Sequence, residues 1–205
     1  MKLEYRAPGE SGWAEIVTTR TDSDGYPPVE RLRVQWPIDE ANVDRAAIAS
    51  SLVFSPWLIG RCDLLRPFSA LTERRIVEWF QEQDVWVAPN PIRAGGLPIP
   101  KGTKRVYLSG SPHASHEHSL VIVKSHMGSG IVGNEMRVAS NAHLLIQHAP
   151  HPAARFSIRL GVAVLLAEAF SVNEFVDPEF AHTCPEEFQA ASRMIECVSL
   201  GLCDE

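Results

Sequence analysis

The residues at 3–6, 13–21 and 31–36 alternate apolar and polar side chains or carry β-branched and aromatic ones, and that pattern limits the fold more than any other feature. An extended chain sends successive side chains to opposite faces, so runs of this kind bury one face and wet the other. Pro8-Gly9 and Asp22-Ser23-Asp24-Gly25 separate them. Asp and Gly accept the left-handed backbone that a tight turn requires. The economical arrangement is an antiparallel meander.

After Pro37 the period lengthens. Asp39 is placed to cap a helix in which Val43, Ala47, Ser50 and Phe54 share a side, and Pro56 stops it. Ser69 is placed to cap a second, with Ile76, Val77 and Phe80 facing inward. Residues 84–88 read as a strand. Residues 89–104, rich in proline and glycine, read as an irregular loop and the candidate hinge. Residues 106–108 and 119–123 read as strands. Residues 134–147 fit alternation and helical spacing alike, with strand preferred in the first half. Residues 153–170 read mainly as helix, apolar nearly all round and therefore central. Thr183 and Glu186 match a capping box, with Pro185 in the first turn of a last helix that Gly201 helps to end. The fold class expected is α+β: an N-terminal antiparallel meander, two helices, central mixed strands and loops, and two C-terminal helices, in a single globular domain over 1–205.

Composition narrows the function classes. The chain of 205 residues is 45% hydrophobic and 21% charged, which suits a packed core and argues against disorder. Net charge is −6, and Lys and Arg are scattered, with Lys101, Lys104 and Arg105 the densest group. A nucleic-acid partner calls for a broad basic face, so none is expected. The most apolar run, 160–167, is far short of the roughly 20 residues that cross a bilayer, so no membrane partner is expected either. Cys62, Cys184, Cys197 and Cys203 form no Cys-x-x-Cys pair, and the first six residues carry charges where a signal peptide needs an apolar core. The expected location is cytoplasmic, with free thiols.

Histidine is the chemical anomaly. Seven of the eight lie between His113 and His151, where even scattering would put one or two. Imidazole titrates near neutrality and is the commonest metal ligand. On a strand His116 and His118 would point to the same face and could grip one metal, with a third ligand from His143, His126 or Glu135. His126, Glu117 and Glu135 are then the candidate acid–base groups, and a divalent metal is the cofactor this set would hold. Gly110, His116 and His118 are similar to the first half of the cupin motif, a glycine followed at a distance by His-x-His. The resemblance stops there: Ile122 and Val123 stand where that motif needs a glutamate, and the helices at both ends depart from an all-β barrel.

Gly128-Ser129-Gly130-Ile131-Val132-Gly133 spells the dinucleotide fingerprint, but the preceding strand ends too far away and no acidic residue stands about 20 positions on. A hairpin is the reading preferred. No Gly-x-Ser-x-Gly or phosphate-binding Gly-Lys-Ser/Thr loop occurs. Two functions follow as expectations. The first is a small-molecule enzyme with its site in the histidine-rich loops, its chemistry metal-assisted hydrolysis. The alternative is a non-catalytic protein that binds a partner as an immunity, accessory or assembly subunit.

Overall fold

The alternating runs pair as their pattern dictates. β1 (Lys2–Arg6), β2 (Trp13–Thr19) and β3 (Arg31–Gln35) form an antiparallel meander in which Tyr5 faces Ile16 and Ile16 faces Leu32. Leu3, Tyr5, Ala14, Ile16, Leu32 and Val34 are buried on one face. The other face carries ion pairs, Arg33 to Glu15 at 2.9 Å and Arg6 to Glu4 at 2.7 Å. Pairs this exposed contribute about 0–1 kcal/mol each, so they mark a solvated face and do not hold the sheet together. The structure is a computed structural model, and it describes residues 1–8, 12–36, 41–81, 83–89, 99, 101–108 and 117–205.

The turn between β2 and β3 does more than reverse the chain. Asp24 is buried, and its carboxylate pairs with the Met1 ammonium at 2.9 Å. It also accepts from the Thr21 N–H at 2.7 Å, the Thr21 hydroxyl at 2.8 Å and the Ile59 N–H at 3.3 Å.

Helices cover the apolar face. α1 (Val43–Phe54) is capped by Asn42, whose side chain accepts from the Asp44 and Arg45 N–H groups. Asp39, the cap expected, lies outside the described residues. α1 is buried from Asp44 through Phe54 because it touches β1, α2 (Ala70–Gln81) and α4 (Pro152–Leu166) together. Ser69 caps α2 as its sequence suggests, accepting from the Thr72 N–H at 3.3 Å. α4 is the central apolar helix expected. At Gly161 a Cβ would sit 2.7 Å from Val53 Cγ2 and 3.0 Å from the Ala49 carbonyl, so glycine sets how closely α1 and α4 approach.

The other strands extend the sheet on both flanks. β4 (Arg61–Leu64) pairs parallel to β1, and β5 (Trp86–Val87) pairs parallel to β4. On the far side lie β6 (Lys104–Tyr107), β7 (His118–Lys124), β8 (Gly130–Val132), β9 (Glu135–Ser140), β10 (Val172–Val176) and β11 (Gly201–Cys203). The order is β11-β10-β6-β7-β9-β3-β2-β1-β4-β5, with β8 hairpinned onto β9. β9 runs parallel to β7 and antiparallel to β3, joining the meander to the parallel flank.

Both periods seen in 134–147 are real and successive: β9 gives way to α3 (Ala142–Gln147). Asn141 stands at the junction, its side chain accepting from the Arg33 N–H at 2.7 Å and donating to the Arg31 carbonyl at 2.8 Å. The glycine fingerprint is a hairpin, turning at Gly133 with φ 60°, and a strand follows it in place of the helix a dinucleotide site needs. Two sequence expectations at the C-terminus fail. Thr183 ends α5 (Pro178–Thr183), and α6 (Pro185–Glu196) starts at Cys184 without a side-chain cap, so no capping box forms. Gly201 opens β11 instead of closing the helix, because its segment pairs with β10, Leu202 opposite Phe175.

Candidate functional site

The cleft of interest arises from a stagger between two neighbouring strands. β6 and β7 overlap through only two pairs, Val106 with His118 and Tyr107 with Ser119. A parallel connection normally takes a dozen residues or more. Here only the ten residues 108–117 separate the strands in sequence, and one strand begins where the other ends. Past Ser119, β7 keeps β9 on one side, and no described strand on the other. α3, α4 and α5 wall the resulting gap, which has a volume of about 740 Å³. That lies inside the range of small-molecule sites, roughly 300–1,000 Å³. The gap also lies at the carboxyl ends of β6 and β10, the usual position of ligands in sheets with parallel strands.

Ser119, Leu120, Val121 and Ile122 all line it. Four successive strand residues point alternately to two faces, so only an edge can present them all to one space. The Ser119 N–H donates to the Asn134 carbonyl at 2.9 Å, toward β9. By alternation the Leu120 carbonyl and both main-chain groups of Ile122 point the other way, into the cleft.

The polar lining comes from the helices. His143, in the first turn of α3, has Nδ1 at 2.9 Å from the Ser140 carbonyl. A ring donating there from Nδ1 keeps its Nε2 lone pair, the form that accepts a proton. Arg159 projects from α4, its guanidinium 5.7 Å from the Phe156 ring, and Arg155 sits one turn earlier in an adjoining groove of about 570 Å³. The two arginines are the only charged residues of α4. Neither has an ion-pair partner among the described residues. Gln147 and Glu179 border both spaces.

The candidates named from sequence separate. His143 and Glu135 both reach the cleft, but the Glu135 carboxylate is held by Arg137 at 2.7 Å along its own strand. Glu117 stands beside the opening in a second cluster, 3.8 Å from Arg105, which also pairs with Glu174 at 2.9 Å. Burial, with the charge and hydrogen bond of Glu117, raises the Tyr107 phenol above its ordinary pKa, so it stays protonated beside that carboxylate. His118 lies on the helix-covered face with Leu120 and Ile122, its buried Nδ1 without a hydrogen-bond partner among the described residues. His126 is exposed beyond the far end of β7, roughly 20 Å along a seven-residue strand from His118. His148, His151 and His182 are exposed, and His151 caps α4 by accepting from the Ala154 N–H at 3.2 Å. His113 and His116 lie outside the described residues.

Among the described residues no group of three His, Cys, Asp or Glu side chains could hold a metal. No described helix is long and apolar enough to cross a membrane. No known protein family, curated protein or solved structure matches this chain. The thiols offer no nucleophile. Burial pushes Cys62 up to about 12 and Cys197 up to about 11, and burial with Glu187 nearby raises Cys184, against the lowering a helix start can give.

Sequence reasoning passed over Arg155 and Arg159. Their signal was present: two like charges four apart, on one face of a helix otherwise apolar.

Proposed function

We propose that the chain is a small-molecule enzyme whose site is this cleft, and that its ligand is polar and carries a carboxylate or phosphate. The observation that carries the reading is Arg159, a guanidinium with no ion-pair partner among the described residues, lining a space of about 740 Å³ that also holds His143. A guanidinium that forms no ion pair in a concave site matches an anion's forked oxygens. Arg155 extends the positive charge by one helical turn. His143 would move a proton at Nε2 while Ser140 fixes its tautomer, the role a hydrolytic step asks of a base. Metal assistance would enter through His116, His118 and His143, and metal analysis of tagless protein with a His116→Ala/His118→Ala variant tests it.

Isothermal titration with inorganic phosphate and with glutarate tests the cleft itself. The expected result is saturable binding of at least one anion, weakened roughly 10- to 100-fold by Arg159→Ala, the span of about 1.5–3 kcal/mol that a charged hydrogen bond supplies. His143→Ala should leave the affinity within about threefold, since proton transfer is not uniform binding. An affinity indifferent to Arg159 contradicts the reading.

A further inference from the structure

We infer that the ligand of this cleft is an extended acidic peptide, bound by adding a strand to β7. The inference rests on the cleft being the ligand site and goes further by naming the substrate class. Its first support is main-chain geometry. The Leu120 carbonyl and the Ile122 N–H and carbonyl face the cleft with no described strand beside them. Among the described residues, none offers these three groups a hydrogen bond. Natural sheets cover, shorten or charge such an edge, because it pairs with any extended chain that reaches it. Here the edge lies at the bottom of a walled cleft. The groups offered at Leu120 and Ile122 match the alternating donors and acceptors of one peptide strand.

The second support is charge. A strand lying on this edge would turn alternate side chains toward α3 and α4, where Arg159 lines the cleft and Arg155 the adjoining groove. Both arginines lack ion-pair partners among the described residues, as Arg74 and Arg193 also do, but these two stand four apart on one helix beside the open strand edge. Acidic side chains at every second position would meet those guanidinium groups. The net charge of −6 opposes an acidic ligand at long range, where salt screens it beyond about 8 Å, Arg137 offsets Glu135, and Glu179 is the carboxylate an acidic strand must lie clear of. The two spaces, about 740 and 570 Å³, share Gln147, Arg159 and Glu179 in their linings, and each exceeds what a single carboxylate or phosphate fills.

The experiment uses a fluorescent capped hexapeptide that alternates glutamate with valine, read by anisotropy against the full chain. Three companions are its lysine–valine counterpart, the same glutamate peptide with every backbone nitrogen methylated, and free glutarate. The expected result is saturable binding of the glutamate peptide and at least a tenfold loss on methylation, which removes main-chain donors and keeps the carboxylates. An Arg155→Glu/Arg159→Glu variant, folded by circular dichroism, should reverse the preference toward the lysine peptide. Equal binding of the methylated peptide, or no reversal in the charge-swapped chain, overturns strand addition. Glutarate binding through Arg159 with no peptide binding overturns the peptide and leaves the small-anion site standing. If neither glutarate nor peptide binds, both fall.

Discussion

A few side chains have consequences well beyond their size. Asp24 sits in a turn that any Asp-Gly sequence would announce, yet its carboxylate is buried against the Met1 ammonium. Burial alone would raise its pKa. Hydrogen bonds from the Thr21 N–H, the Met1 ammonium, the Thr21 hydroxyl and the Ile59 N–H outweigh that and hold it below the ordinary value. A depressed carboxyl contributes stability at pH values above its unfolded pKa and loses that contribution as pH falls through the folded one. Asp24→Asn should therefore cost about 3–5 kcal/mol at neutral pH, the range seen when one partner of a buried pair is removed. The gap to the wild type should close as pH drops below about 4, and urea melts at a series of pH values check it. At this scale the sequence showed the histidine excess and its chemistry, but not its placement. His126 and His118 are close in number and stand at opposite ends of one strand. Arg159 looked ordinary until its apolar neighbours on α4 folded around it.

Elements with a strong local period were the ones the sequence revealed. The meander needs only alternation and two turns, and both are local. α4 needed only its length and apolar character, and Gly161 within it was silent until α1 lay across it. Gly161→Val should cost about 1–3 kcal/mol or more by overpacking the contact with Ala49 and Val53. The same substitution at Gly130, where nothing lies within 4 Å, should cost less, and thermal unfolding of the two variants checks the order. Among the elements that escaped are β10 and β11, five residues or fewer and held by parallel pairing with distant chain. A short parallel strand carries no periodic signature, since its register is set by partners far along the sequence. The capping box at Thr183 and Glu186 failed for a related reason: Asp177 caps an earlier helix, accepting from the Phe180 N–H at 3.1 Å, and Thr183 is already its last residue.

The whole molecule is an α+β fold in which an antiparallel meander and a parallel flank share one sheet through β9. The cleft belongs to this scale and to no smaller one. It exists because β6 ends where β7 begins, a fact of register that no local pattern records. The histidine-rich third of the chain supplies β7 and α3, while the residues that give the cleft its positive charge come from a helix the sequence marked only as core. The central claim is that ligand enters between the edge of β7 and the helices that wall it. Amide and arginine side-chain chemical shifts, followed while glutarate is titrated into isotopically labelled protein, test that most directly. The shifts should concentrate at Leu120, Ile122, His143, Gln147 and the Arg159 side chain. Shifts confined to the wet face of the meander, around Arg31 and Arg33, would contradict it.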